Sequence, residues 1–372
     1  MLDMIKDFID FLTAPTISFT LLTILTPLLF PPTDWFDKVS RKLGFHKVWT
    51  KSGAIVGMIF LTIFMIMGYT DPNFSKILLK PDNFPIVLMM YSMFFYIWWG
   101  MSQAYENDAR LEEGKKPNEY HDPDDKVLVW PDLVYIEFIA LLLFMVFLIV
   151  WALLAGAPLE EPANPAATPN PSKAPWYFLG LQEMLVYFDP WIAGIIFPMF
   201  IIIGMMAIPY IDINPKGDGY YSFKERRVGY FIFMYGWLVL WVYLIIVGTF
   251  FRGPNWNFFG PFEYWDTHKV EALNNINLSE YIWVIGLESG LPSNIMLRES
   301  VGFIIVIAYF TFVPYVLSKT LLKSMYEGYG PVRYSTIMFF GLSMLGLPIK
   351  MYLRWFFNLK YIVAIPEWFF NI

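Results

Sequence analysis

The sequence predicts an all-α polytopic membrane protein with about seven or eight transmembrane helices. Three observations lead there. Of 372 residues, 57% are hydrophobic and only 16% charged, where a soluble domain carries about a quarter charged residues. Uncharged runs of seventeen or more residues recur along the chain, close to the length a helix needs to cross a bilayer. The basic residues cluster in alternate loops, as the positive-inside rule expects of a chain that crosses repeatedly.

Taken in order, the apolar spans lie near 15–30, 53–69, 84–100, 133–157, 190–210, 228–251, 301–318 and 335–352. The first is short and contains Pro27, so it reads either as a crossing or as a shallow interfacial helix. No internal repeat is visible. The N-terminus, MLDMIKDFIDFL, sets three Asp against one Lys and has no small-residue cleavage site, so it reads as mature protein. The loops 32–52, 101–132, 211–227 and 319–334 hold sixteen of the 26 Lys and Arg, and the remaining segments hold ten. That count assigns the first set to the cytoplasmic side and leaves 158–189 and 252–300 on the outer side. The net charge of -6 forms no basic stripe, which argues against nucleic acid as a partner. With no cysteine, disulfides, iron–sulfur ligation, thiolate zinc and thioether-linked haem are excluded.

Between two apolar spans, EEPANPAATPNPSKAPWYFLGLQEML packs five prolines into the fourteen residues from Pro162 to Pro175. Each proline fixes φ near -65° and holds the preceding residue extended, so the segment reads as a stiff strut. Trp176, Leu179, Met184 and Tyr187 then recur at roughly helical spacing, which predicts a short helix on the outer surface. An interfacial aromatic belt is the plain explanation of Trp176 and Tyr177.

The wider pattern resembles the C-terminal part of cytochrome b, which in the cytochrome b–f complex is a separate chain, subunit IV. Glu161 to Pro169 resemble that family's E-P-A-N-P-x-A-T-P stretch, and after the spacer Asn170 to Lys173 the P-E-W-Y signature of its quinol-oxidation site falls on Ala174, Pro175, Trp176 and Tyr177. Upstream, VWPDLVYI (129–136) is similar to the start of subunit IV's first helix, and FKERRVGYFIF (223–233) to the start of its third. The resemblance covers about 128–251 and implies a three-helix subunit IV-like core. It implies an outer quinol-binding wall of Ala174, Pro175, Trp176, Tyr177 and Phe178. Its signature glutamate, thought in the family to take a quinol proton, is replaced here by Pro175, which cannot do so. Glu183 is the nearest candidate base, with a solvated carboxylate on a surface helix as the competing reading. Tyr177, whose hydroxyl can donate, is better suited to position quinol than to deprotonate it.

His46, His121 and His268 all fall in loops by this span assignment, so haem ligation by this chain is not expected. The resemblance therefore places b-type haems on a separate four-helix cytochrome b subunit and a 2Fe-2S cluster on a Rieske protein. A c-type cytochrome would be the electron acceptor, quinone would bind at shared sites, and the complex would be dimeric in a bacterial cytoplasmic membrane. Near the inner face, Asp132 follows Pro131 at a helix start, where an acid favours the helix dipole. Glu137 is the only carboxylate within an assigned span. Intramembrane acids are usually functional or paired, so it reads as a proton donor to inner quinone, a contact to a haem on the partner chain, or a side chain that snorkels out. The expected segments are 1–104 with up to three spans, an inner loop 105–127, the family-like 128–251, an outer loop 252–300, and 301–372 with two spans. A non-catalytic scaffold or transporter-like subunit is the alternative, although the spans lack the polar groups that transporters carry.

Overall fold

The computed structural model describes residues 2–121, 128–156, 162, 165, 173–217, 219–269, 271 and 274–372. Among these, seven helices are long and apolar enough to cross a membrane. They are α4 (Lys51–Thr70), α6 (Phe84–Glu112), α7 (Val129–Leu154), α9 (Ile192–Ile211), α10 (Phe223–Phe251), α11 (Ser300–Lys319) and α12 (Lys323–Phe357). Each overlaps one of the expected spans. The short α3 (Asp34–Leu43), α5 (Phe74–Leu78) and α8 (Leu179–Met184) lie between them. The first apolar span is α2 (Pro15–Leu29), preceded by α1 (Leu2–Thr13) at a bend of 73°. Pro15 opens α2, and proline is tolerated at a first helical position because its missing N–H has no partner there anyway. The pair makes an eighth, broken span if it crosses as one.

The core gathers around α10. Of its most apolar window 56% is buried, against 6% for α9 and none for α7. A helix that is apolar all round and enclosed over more than half its length is a hub of the packing. Tyr235, Val239, Tyr243, Leu244, Val247 and Phe250 of α10 meet Phe19 of α2, Met65 of α4, Phe74 of α5, Met184 of α8 and Met351 of α12 in one cluster. The expected segments thus share a core instead of forming separate bodies. Lipid is as apolar as leucine, so helix association in a bilayer depends on close packing and on interhelical hydrogen bonds worth about 0.6–2 kcal/mol each. Two such bonds tie α2 to the hub and its neighbour: Ser18 Oγ to Tyr243 Oη at 2.8 Å, and Thr20 Oγ1 to Tyr352 Oη at 2.9 Å. Phe19, between them, has its ring 5.6 Å from that of Tyr243.

In contrast, α7 stands apart. Nearly all its side chains are exposed, and its one aromatic contact to another element sets Trp151 5.2 Å from Phe84. The three family-like spans therefore do not close into an isolated three-helix core within the described residues. The physical reason is composition: α7 has a mean hydropathy of 2.9 over its window and carries no charged residue past Glu137, so little in it prefers this chain's other helices to lipid or to another apolar surface.

Polar contacts sort the connecting segments into two ends. At one, the cap end, Lys6 pairs with Asp71 at 2.6 Å, Asp10 accepts from Phe262 N at 2.9 Å, and Arg354 donates to Asn274 O at 3.2 Å. Here residues 252–269 fold back over the helix ends. At the other, Asn107 Nδ2 donates to Glu119 at 2.8 Å and to Tyr221 O at 3.0 Å, while Asp108 accepts from Ser222 Oγ at 2.6 Å and Lys224 N at 2.9 Å. Arg333 joins Tyr210 O at 3.0 Å there as well. This second end carries the lysine- and arginine-rich loops, so α6 continues past the expected residue 100 as a polar helix into it. If the helices cross a bilayer, single cysteines at Lys115 and Tyr264, both exposed, will react with a membrane-impermeant maleimide from opposite faces. Labelling of both from one face would refute the arrangement.

Candidate functional site

The cap end holds the residues singled out by the proline-rich motif. The strut itself, 163–164 and 166–172, lies outside the described residues; its last members, Lys173 to Pro175, do not. Pro175 (φ -50°, ψ 146°) is extended and turns the chain into a single 3-10 turn, Trp176–Phe178, closed by Phe178 N donating to Pro175 O at 2.8 Å. Helix α8 follows at once and confirms the short helix expected after the signature. Two glycines let it lie close on α10. A Cβ at Gly180 would stand 3.3 Å from Ile245, and one at Gly248 would stand 3.3 Å from Leu179 O.

Three contacts fix the signature from behind. Ala174 N donates to Gln182 Oε1 at 2.8 Å. Lys173 Nζ donates to Thr249 O at 2.6 Å and lies 5.2 Å from the centre of the Trp265 ring. Burial, chiefly, and then the charge of Lys80 push the Lys173 amine down to about 7, against the opposite pull of Asp82 and Glu183. The third contact involves Glu183, which is fully buried (0% exposed). Its Oε2 accepts from Arg252 Nε at 2.9 Å and from Trp256 Nε1 at 3.1 Å, and its Oε1 accepts from Arg252 Nη2 at 2.5 Å. Arg252 Nη1 also donates to Trp256 O at 2.9 Å. The guanidinium thus grips a carboxylate with two parallel bonds, the strongest common geometry for such a pair. Tyr187 packs nearby, with burial raising its phenol above the ordinary range.

The aromatics divide. Trp176 is half-buried against the core, with its ring edge-on to Tyr177 at 5.7 Å. Tyr177 and Phe178, 49% and 50% exposed, present their rings outward, 4.7 Å apart. Pro175 is exposed and Ala174 half-buried.

Asp132 and Glu137 are elsewhere. Both are exposed on α7, and at 1.5 Å per residue Glu137 lies about 20 Å along the helix from Trp151. Trp151 sits near the cap end, against Phe84 at the start of α6, so the two acids belong to the opposite end and do not join the signature. His46 falls in the turn Phe45–Trp49, His121 ends the turn Asn118–His121, and His268 is an exposed cap residue. Among the described residues no group of His, Cys, Asp or Glu is arranged to hold a metal ion.

The reading of Glu183 as a solvated carboxylate fails, because α8 is covered by the cap. Sequence reasoning also missed Arg252 and Trp256, its partners. A signal existed: Arg252 is the only charged residue between Val228 and Phe262, and Glu183 the only one between Ala174 and Phe188. Lone opposite charges in otherwise apolar stretches must each find a partner.

Compared with known families, residues 162–261 match the one described as cytochrome b (C-terminal)/b6/petD. The chain carries a cytochrome b C-terminal domain. The match takes in the signature, α8, α9, α10 and the first part of the cap, so both Glu183 and Arg252 fall inside it. It starts later and ends later than the resemblance seen by eye, and α7 lies outside it. No solved structure matches the chain. The domain marks a membrane-embedded subunit of a cytochrome b-type complex in electron transport.

Breaking the buried pair from one side leaves an uncompensated charge. Glu183→Ala should cost about 3–5 kcal/mol of stability, read as a lower midpoint of thermal unfolding in detergent. A midpoint equal to wild type would mean that Arg252 has another counter-charge.

Proposed function

We propose that the chain is a non-haem-ligating subunit of a quinol:cytochrome c oxidoreductase. Its cap end is the outer wall of the quinol-oxidation pocket, and the far end of α7 is part of the inner quinone site. The observation that carries this is the placement of the signature: Tyr177 and Phe178 face outward from a segment fixed at three points to the most enclosed helix. A pocket wall needs that combination, because a quinol ring is oriented by aromatic faces and a hydroxyl held within a few tenths of an ångström.

Quinol oxidation releases two electrons and two protons. With no cysteine, and histidines only outside the apolar spans, the chain offers no ligand pair for haem or an iron–sulfur cluster. Partner subunits of the Rieske and b-haem type supply the electron acceptors, and a c-type cytochrome receives the outer electron. This chain's work is positional and protonic. Trp176 backs the pocket, Tyr177 Oη binds a quinol oxygen, and Phe178 covers the ring. Pro175 contributes shape but no proton acceptor. Glu183 is the first carboxylate after the signature along the chain, and any acid–base part it plays must work against its bonds to Arg252.

At the opposite end, a carboxylate among apolar groups is costly when charged. Glu137, exposed on a helix that this chain leaves uncovered, is suited to meet a quinone at the contact with a partner subunit. Asp132, nearer the water, would pass protons to it.

Two measurements on the assembled complex test the reading. Trp176→Ala and Tyr177→Ala should each slow quinol oxidation at least tenfold while the complex still assembles; unchanged turnover in both would return the pair to an interfacial belt. Glu137→Gln should slow reoxidation of b haem by inner-side quinone several-fold and spare outer-side quinol oxidation. Equal effects on both half-reactions, or none, would remove Glu137 from the inner site.

A further inference from the structure

The two ties that flank the signature both reach the C-terminal end of α10. Lys173, just before it, holds Thr249 O; Glu183, just after it, holds Arg252. Thr249 lies in the last turn of α10, and Arg252 is the first residue beyond it, with extended backbone (φ -101°, ψ 116°). Residues 174–178 therefore lie between two ties, both made at the C-terminal end of α10. The Gln182 amide bond to Ala174 N braces that segment from inside.

We propose that Glu183 and Arg252 are positioning residues: a clamp that fixes α8 to the end of α10 and so sets the pose of Trp176, Tyr177 and Phe178, without Glu183 itself exchanging the quinol proton. The inference rests on the reading of the cap end as a quinol-oxidation pocket. Its geometric basis is the saturation of the carboxylate. Both oxygens are engaged, by Arg252 Nε, Arg252 Nη2 and Trp256 Nε1, and the side chain is sealed from solvent while Tyr177 and Phe178 are half-exposed. A proton placed on Glu183 would cost two charge-assisted bonds and strand a buried guanidinium. The other charged or titratable groups that act on the pair are Lys173, Tyr187 and Tyr243, with Glu271 acting from the cap. The clamp also explains how a chain without the signature glutamate keeps a rigid outer wall: the carboxylate has become part of the frame.

The test is the steady-state rate of quinol oxidation by the purified intact complex, with menadiol or decylubiquinol, across pH. Glu183→Gln and Arg252→Gln should each lower kcat/KM about tenfold or more, mostly through a raised KM. The double variant should fall no further than either single, since the residues act as one unit. The acidic limb of the pH profile should stay in place throughout, and Arg252→Lys should recover part of the loss relative to Arg252→Gln. Loss of that limb in Glu183→Gln but not in Arg252→Gln would make Glu183 the proton acceptor and overturn the clamp, as would additive losses. Normal kinetics in both variants, with Trp176→Ala still slow, would overturn the clamp and leave the outer site standing. Normal kinetics in all of them would remove the site itself. If Glu183→Gln fails to assemble, Arg252→Lys decides: the charge stays but the paired fork is lost, and unchanged kcat/KM there refutes the proposal.

Discussion

A carboxylate and a guanidinium removed from water at the end of the most enclosed helix hold this molecule's cap in place. Glu183 and Arg252 each cost several kcal/mol to bury alone, so neither is tolerable without the other, and the fold must bring α8 and the end of α10 together. Much follows from that demand. Helix α8 has to lie flat on α10, which Gly180 and Gly248 allow. The cap has to turn back at Gly253, where a Cβ would stand 2.7 Å from the Phe259 ring. Trp256 has to bring its indole to the carboxylate, and does so from a backbone conformation with φ of 58°. The signature aromatics, five to seven residues before Glu183, take their orientation from the same constraint.

The contrast between α10 and α7 separates two kinds of membrane helix that hydropathy alone does not distinguish. Both are strongly apolar, yet one is the hub of the chain and the other is exposed along nearly its whole length. The difference lies in what punctuates them. α10 carries Tyr235, Tyr243 and Thr249, with Arg252 at its end, and Ser18, Lys173 and Glu183 meet the last three. Within the expected span α7 offers only Glu137, which has no hydrogen-bond or ion-pair partner among the described residues. Interhelical hydrogen bonds and close packing are what assemble helices in lipid. A helix without them within its own chain is left for lipid or for another subunit, and a lone carboxylate on it points toward the second.

What the sequence made legible follows the same division. The spans could be read because transfer into a bilayer is a local property: each residue contributes whatever its neighbours do, and the seven long helices appear where composition put them. The short helix after Trp176 was legible from spacing. α1 was not expected, because its apolar residues line only one side of twelve and carry no long uncharged run. The Glu183–Arg252 pair was out of reach for another reason. It joins positions 69 apart, and only the fold decides which buried charge meets which. The strut's prolines were plain in the sequence, but what they frame became clear only from the residues behind them.

The replacement of the signature glutamate by Pro175 then has a physical sense that comparison of letters alone does not supply. A glutamate one residue before the tryptophan sits on the exposed edge of the turn, free to swing and to carry a proton. Proline there gives up that chemistry and fixes φ, so the chain enters the 3-10 turn with less conformational entropy to lose. The carboxylate reappears eight residues later on the buried side, bound to arginine, where it contributes rigidity instead of proton transfer. If quinol is oxidised here, as proposed, its protons would pass to water or to a partner subunit at the open face of Tyr177, since Glu183 is closed off by Arg252 and Trp256. On the proposed reading the outer wall would serve to hold quinol in place, with proton release left to whatever surface closes over it.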